Sequence, residues 1–288
     1  MNKILKDLTN FGFARRSQQV LSTAELETLK KNIEEISSNQ DLLKDPFIEI
    51  CGYNKELDDI IEKILCNDKI KKILEELLGK DYILWGGGSA RISTPNDKGL
   101  LLHQDAPGEV GLIFLVNDQP RSSTILLKGS HFFSRICSKL SWNSPKIFPL
   151  IKKILSPLSG QAGDHFIWYY KTWHGRLPNK TNDKYISLFF PFFPKGTDRV
   201  GMLKDCNETR IKKISSQYIK QLLNNFSLSK QKYPDPELEC MKIEKFKLKN
   251  IFNFSFLSCF MKIFILEIIF FPIRLLRIIK LLKVKKND

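Results

Sequence analysis

The chain has 288 residues, of which 42% are hydrophobic and 27% are charged. This length allows one large domain or two small ones, and the composition excludes a largely disordered protein. The six cysteines are scattered and include no C-x-x-C pair. Their pattern excludes a disulfide scaffold and the usual cysteine zinc sites, and it fits a reducing compartment.

Basic residues exceed acidic residues by 46 to 31, which gives a net charge of +15. A chain this basic favours anionic partners, which include nucleic acid, anionic lipid and anionic substrates. The first residues, MNKILKDLTNFGF, contain no long apolar run followed by a cleavage site. We therefore expect no secretory signal and predict a cytoplasmic protein.

Two packing helices are predicted before residue 80. Ser22 and Glu25 have the spacing of a capping box, and apolar residues then recur at helical spacing, so a helix is predicted over 22–36. A broad apolar stripe predicts a single helix over 56–78.

From about residue 81 the sequence changes to short apolar or β-branched runs separated by turn residues. Examples are DYILWGGG, EVGLIFLVND and KYISLFFPFF. Short strands at this spacing favour a sandwich or closed barrel over alternating strands and helices. The sequence therefore predicts a mainly β protein with flanking helices.

The last segment, 251–288, differs from the rest and follows a predicted linker over 231–250. Residues 251–271 are mostly apolar but are interrupted by Asn253, Lys262 and Glu267, and residues 272–288 contain six basic residues and one acidic residue. We predict that a basic amphipathic helix over 273–286 lies on an anionic membrane surface, so that the protein is peripheral on the membrane. A transmembrane or re-entrant hairpin and a packing or partner helix are the alternatives.

His103 and Asp105 lie two residues apart in the run LLHQD. In an extended segment, residues i and i+2 point to the same side, so the imidazole and the carboxylate would converge. A third ligand from another strand, such as a second histidine, would place two nitrogens and one carboxylate on one face of a metal. This is the ligand set of non-haem Fe(II) oxygenases. The alternative is an ordinary hydrogen-bonded histidine beside a turn aspartate.

Further motifs follow His103-Gln104-Asp105, and their order resembles that of the phytanoyl-CoA dioxygenase family of Fe(II)- and 2-oxoglutarate-dependent oxygenases. The resemblance covers about residues 8–195 and includes the opening LTNFGFARRSQQVLSTAELETLKKNIEEI. It implies a double-stranded β-helix core (jelly roll, cupin-like) over about 81–195, within a dioxygenase domain of residues 1–230. The later motifs are Gly129-Ser130-His131, Gly163-Asp164, Trp173-His174-Gly175 and Pro178-Asn179.

The resemblance implies that His103, Asp105 and His174 bind Fe(II) and carry the catalysis, with 2-oxoglutarate as co-substrate and O₂ as oxidant. Because Asp105 is present where halide-binding relatives have a small residue, hydroxylation of an aliphatic C–H is predicted. The substrate class is a small molecule or a lipid-like compound. His131 matches a residue that shapes a turn, and His165 matches no residue with a role in the family.

The family binds the far carboxylate of 2-oxoglutarate with an arginine about ten residues after the distal histidine. Lys184 stands there instead, and lysine lacks the planar fork of arginine. Arg176 is a second candidate, and Ser187 is predicted to add a hydrogen bond to the same carboxylate. The alternative for Lys184 is a solvated cation at a strand end.

Two other functions remain open from the sequence. One is a non-catalytic, membrane-tethered jelly-roll binding protein, which would bind iron without turning over 2-oxoglutarate. The other is a nucleic-acid-binding oxygenase, which only the net charge suggests. Because the sequence has no obvious basic and aromatic groove, nucleic acid is disfavoured as a partner.

Overall fold

The fold is described by a computed structural model of the chain. It describes residues 3–17, 19–38, 40–43, 46–105, 108–120, 124–132, 155–195 and 212–224, together with Ile268. The helices are α1 (Lys3–Phe11), α2 (Thr23–Ser37), α3 (Lys55–Leu65), α4 (Asp68–Leu78) and α5 (Gln217–Asn224), with a 3₁₀ turn at Ser130–Phe132. The strands are β1 (Phe13–Arg16), β2 (Phe47–Glu49), β3 (Ile83–Leu84), β4 (Ser89–Ser93), β5 (Leu100–His103), β6 (Val110–Leu115), β7 (Thr124–Leu127), β8 (Leu155–Pro157), β9 (His165–Tyr169), β10 (His174–Arg176) and β11 (Tyr185–Phe193).

The strands form two antiparallel sheets. The major sheet has the order β1-β9-β6-β11-β4-β2, with β3 paired to the end of β11. The minor sheet has the order β5-β10-β7-β8. From β4 to β11 the chain passes back and forth between the sheets, with β7 and β8 both in the minor sheet. This is the arrangement of a double-stranded β-helix, so the predicted jelly-roll core is confirmed. Two strands of the major sheet, β1 and β2, come from outside the predicted range of 81–195.

The two faces of the major sheet bury different sets of side chains. On β11, Ile186, Leu188 and Phe190 belong to the large core cluster that also contains the buried apolar residues of α2, α3 and α4. Phe189 points the other way, into a smaller cluster between the sheets that includes Trp168. Side chains alternate along a strand, so the even-numbered residues of β11 face the large cluster and the odd-numbered Phe189 faces the cluster between the sheets.

The capped helix is confirmed, and the single helix over 56–78 is wrong. The Ser22 hydroxyl accepts the Glu25 N–H and the Glu25 carboxylate accepts the Ser22 N–H, so both halves of the capping box form. The second stripe divides into α3 and α4 because Asn67 acts as an N-cap. Its side chain accepts backbone N–H groups at the start of α4, which begins a new helix there.

No helix among the described residues is long and apolar enough to cross a membrane. The predicted linker lies outside the described residues, and so does the tail over 251–288 apart from Ile268.

His165 lies at the start of β9, on the side of the major sheet away from Trp168. It is 1% exposed, and burial lowers the pKa of its imidazole to about 4, with Arg16 acting in the same direction and Asp164 opposing them. Since the pKa of an unfolded histidine is about 6.5, protonation below that pH favours the unfolded chain.

We expect His165 to lower the free energy of unfolding by about 3 kcal/mol as the pH falls from about 6.5 to 4, with no contribution above pH 7. His165→Phe keeps a ring of similar size and removes the titration. Urea unfolding at pH 7 and at pH 4.5 measures the effect, and the variant should lose less stability between the two pH values than the wild type. Equal losses in both proteins would contradict the prediction.

Candidate metal centre

Two imidazoles and one carboxylate converge at one end of the minor sheet. His103 ends β5, Asp105 follows two residues later, and His174 begins β10. The antiparallel pairing of these strands places His174 directly opposite His103. One ligand atom from each side chain lies within 4.8 Å of the other two. The predicted meeting of these three residues is therefore present in the fold.

The spacing of the ligand atoms fits a metal ion with small adjustments. His174 Nε2 lies 3.3 Å from Asp105 Oδ1, and His103 Nε2 lies 3.8 Å from the same oxygen. Bonds of about 2.1 Å to an ion at right angles to one another would place such atoms about 3 Å apart. Two nitrogens and one oxygen on one face are the donor set that suits non-haem Fe(II) and leaves other positions open.

Hydrogen bonds orient His174 and Asp105. His174 Nδ1 donates to the Thr172 carbonyl at 3.0 Å, so in the neutral imidazole Nε2 carries no proton, and this nitrogen is directed at the cluster. Trp168 Nε1 donates to Asp105 Oδ2 at 2.8 Å. The other carboxylate oxygen, Oδ1, therefore faces the imidazoles, an arrangement suited to coordination through one oxygen.

The charges of the ligands support each other. Burial opposes ionisation of Asp105, but the His174 imidazole and the Trp168 N–H outweigh it and lower the pKa of the carboxyl group. Burial likewise favours neutral His174, but the Asp105 carboxylate raises the pKa of that imidazole. An anionic carboxylate beside a buried imidazole favours the binding of a divalent cation.

The loop that leads into His174 is fixed by the GSH turn and by the N-terminal segment. Ser130 Oγ accepts the Trp173 N–H at 2.8 Å, and Thr172 Oγ1 donates to the Gly12 carbonyl at 2.7 Å. His131 Nε2 lies 3.0 Å from the Thr9 carbonyl oxygen. His131 therefore joins the turn to α1 and lies outside the three-residue cluster, as the resemblance implied.

A second group of charged side chains lies between the sheets and is called here the Arg91–Asp97–Arg176 cluster. Arg176 Nη1 and Nη2 donate to the two Asp97 carboxylate oxygens at 2.5 and 3.2 Å. Arg91 Nη2 lies 3.8 Å from Asp97 Oδ2. All three side chains are at most 13% exposed. Burial opposes ionisation of Asp97, but the Gly99 N–H and Arg176 outweigh it and lower the pKa of the carboxyl group.

The three residues predicted to hold 2-oxoglutarate differ in their burial and in their partners. Arg176 is buried in the cluster with Asp97. Ser187 is half-buried on β11 and accepts a hydrogen bond from Gln119 Nε2 at 2.9 Å. Lys184 is exposed just before β11, and its carbonyl accepts the Asn117 side-chain N–H.

Sequence reasoning did not single out Trp168, Arg91 or Asp97. Trp168 was one of many aromatics in the run FIWYY, and only the folded register shows that its N–H meets Asp105. The signal for Arg91 was its alternation with Ala90 and Ile92, which gives β4 one apolar face and one polar face. Nothing in the sequence linked the turn residue Asp97 to either arginine.

No protein-family model matches the sequence, and no curated protein matches it significantly. Solved structures do match the fold. HygX from Streptomyces hygroscopicus, solved with nickel and 2-oxoglutarate bound, has a TM-score of 0.53 and 14% identity, over 67% of this chain and 87% of HygX. SnoK, a non-heme alpha-ketoglutarate-dependent carbocyclase from nogalamycin biosynthesis, has a TM-score of 0.51 and 15% identity, over 68% and 85%.

A third match is AviO1 from Streptomyces viridochromogenes Tue57, with a TM-score of 0.52 and 12% identity, over 69% of this chain and 96% of AviO1. At these identities the likeness establishes the architecture. The chain has the double-stranded β-helix fold that HygX, SnoK and AviO1 share.

Proposed function

We propose that this chain is an Fe(II)- and 2-oxoglutarate-dependent oxygenase. The observation that carries the proposal is the convergence of His103, Asp105 and His174 inside a double-stranded β-helix. Support comes from HygX, solved with iron and also with nickel and 2-oxoglutarate, and from SnoK, an alpha-ketoglutarate-dependent enzyme. When bound, iron with 2-oxoglutarate supplies the oxidising chemistry, which releases succinate and CO₂ and uses O₂ to oxidise a substrate.

The chain's own residues would bind and orient the metal. His103, Asp105 and His174 would hold the ion, and Trp168 Nε1 fixes the orientation of the Asp105 carboxylate by its hydrogen bond to Oδ2. The indole of Trp168 also lies against His174, with ring centroids 5.3 Å apart. The side chains of His174 and Asp105 are about 10% exposed, so the electrostatic contact between them is stronger than in water.

A substrate would approach from the side of His103. The His103 side chain is 36% exposed, whereas those of Asp105 and His174 are about 10% exposed. We propose hydroxylation of an aliphatic C–H in a small-molecule or lipid-like substrate, because Asp105 occupies the carboxylate position. HygX has been solved with hygromycin B bound, which supports a small-molecule substrate. SnoK is a carbocyclase and SnoN an epimerase, so the fold also serves other oxidative outcomes.

The test is to supply the purified chain with Fe(II), 2-oxoglutarate and O₂ and to measure succinate, alone and with a panel of candidate substrates. An oxygenase releases succinate, and a true substrate raises the rate and gives a product one oxygen atom heavier. Iron binding without any succinate would instead indicate the non-catalytic jelly-roll binding protein. A carbocyclase or epimerase reaction would give succinate with no oxygen added to the product.

We also propose that the segment 251–288 holds the protein on an anionic membrane surface. Support comes from its sequence. Residues 272–288 contribute +5 of the net charge of +15, and their basic residues are separated by leucine and isoleucine residues. The full chain should co-sediment with vesicles rich in phosphatidylserine at low salt and be released at high salt. A chain ending at residue 250 should stay in the supernatant. Equal binding by the two chains would contradict the proposal.

A further inference from the structure

The Arg91–Asp97–Arg176 cluster faces the same interior space as the metal centre. Arg91 on β4 is the register partner of Ser187 on β11. Phe189, two residues after Ser187, stacks on Trp168 with ring centroids 5.7 Å apart, and Trp168 donates to Asp105. Register partners share a face, as do alternate residues of one strand, so Arg91 projects from the major sheet into the space between the sheets.

Arg176 reaches the same space from the minor sheet. It is two residues after the ligand His174 on β10, and the pairing of β10 with β7 is regular over these residues. Alternate strand residues share a face and lie about 7 Å apart, so Arg176 stands about 7 Å along the strand from His174. Its buried Nε has no hydrogen-bond partner among the described residues.

This separation suits a 2-oxo diacid bound to the metal by its 2-oxo and C1 carboxylate groups. The five-carbon chain of 2-oxoglutarate spans about 5 Å between its terminal carbons. Its far carboxylate would therefore reach the level of Arg176 if the other end chelated a metal ion held by the two imidazoles and Asp105.

The charges of the cluster also suit a carboxylate. Arg91, Asp97 and Arg176 together carry a formal charge of +1, which one carboxylate would neutralise. A guanidinium group presents paired N–H donors that match the two oxygens of a carboxylate, and Asp97 already fixes the plane of Arg176. Lys184, by contrast, is exposed. We infer that Arg91 and Arg176, oriented by Asp97, bind the far carboxylate of 2-oxoglutarate, an assignment that rests on the proposed function.

The experiment compares two acids that differ only at the far end. 2-Oxopentanoate has the chain length of 2-oxoglutarate, with a methyl group in place of the far carboxylate. Each acid is titrated anaerobically into the Fe(II)-loaded protein, and the visible charge-transfer absorption of the chelated 2-oxo acid gives its affinity. Because hydrogen bonds to charged groups contribute about 1.5–3 kcal/mol, the wild type should prefer 2-oxoglutarate by about ten- to a hundredfold.

Arg91→Gln should lose most of this preference while binding 2-oxopentanoate as well as the wild type does, which also reports an intact fold and metal centre. Arg91→Met, which fills similar space without charge, should behave in the same way. Lys184→Gln is the matched control and should keep the full preference. The inference is overturned if both Arg91 variants keep the wild-type preference or if Lys184→Gln loses it.

Failure of the proposed function gives a different result. In that case neither acid produces the charge-transfer absorption with the Fe(II)-loaded wild type, and both the proposed function and the assignment of Arg91 fail. Binding of both acids with equal affinity by the wild type would overturn the inference and leave the proposed function standing.

Discussion

Asp105→Asn is expected to abolish succinate release and to weaken Fe(II) binding by more than about 100-fold, since loss of an outer partner alone typically costs 10–100-fold. Asparagine keeps the shape of the side chain and an oxygen that can accept the Trp168 N–H. It removes the anionic oxygen that lies 3.3 Å from His174 Nε2 and 3.8 Å from His103 Nε2. The metal would then be left with two neutral imidazoles and a weak amide ligand.

Anaerobic titration calorimetry with Fe(II) measures the affinity independently of any activity. Asp183→Asn is the matched control, because Asp183 is an exposed aspartate in the turn before β11. This control should bind Fe(II) and release succinate as the wild type does. Wild-type Fe(II) affinity in Asp105→Asn would refute the assignment of Asp105 as a ligand.

Asp97→Ala is expected to lower the free energy of unfolding by about 3–5 kcal/mol, because it leaves a buried guanidinium group without its carboxylate. Arg176 is 6% exposed and makes two hydrogen bonds to Asp97. Asp97 Oδ1 also accepts the Gly99 N–H at 2.9 Å, so the turn before β5 loses a bond as well. Urea unfolding at pH 7 measures the loss.

Asp81→Ala provides the matched control for the buried pair. Asp81 lies 3.2 Å from Lys195, but its side chain is 67% exposed, and an exposed ion pair contributes at most about 1 kcal/mol. The double variant Asp97→Ala with Arg176→Met should recover part of the loss, because it removes the uncompensated charge. A loss below about 1 kcal/mol in Asp97→Ala would show that the buried pair is not a major source of stability.

Local patterns in the sequence determined much of the architecture. The Ser22 and Glu25 spacing determined where α2 begins, because both hydrogen bonds of a capping box form between residues three apart. The alternation of apolar residues determined that the chain from 81 onward forms strands. The spacing of His103 and Asp105 likewise predicted two ligands on one side. Each of these features depends on interactions between neighbours along the chain, which a sequence displays directly.

The helix over 56–78 shows where a local pattern misleads. Apolar residues recur at helical spacing on both sides of Asn67, so periodicity alone predicts one helix. The side chain of Asn67 accepts the N–H groups of Lys69 and Ile70, which starts α4 separately from α3. A polar residue such as Asn67 can either lie within a continuous helix or accept backbone N–H groups and begin a new helix. The packing of the two helices against the sheet decides between these two outcomes.

Only the tertiary structure decided which distant residues share the site. The register of β5 against β10 sets His174 opposite His103, and the packing of the two sheets brings Trp168 to Asp105. The same packing gathers Arg91, Asp97 and Arg176 into one cluster and leaves Lys184 exposed. Strand register and sheet packing are settled by burial of the whole apolar surface, so contacts between residues far apart in sequence follow from the fold as a unit.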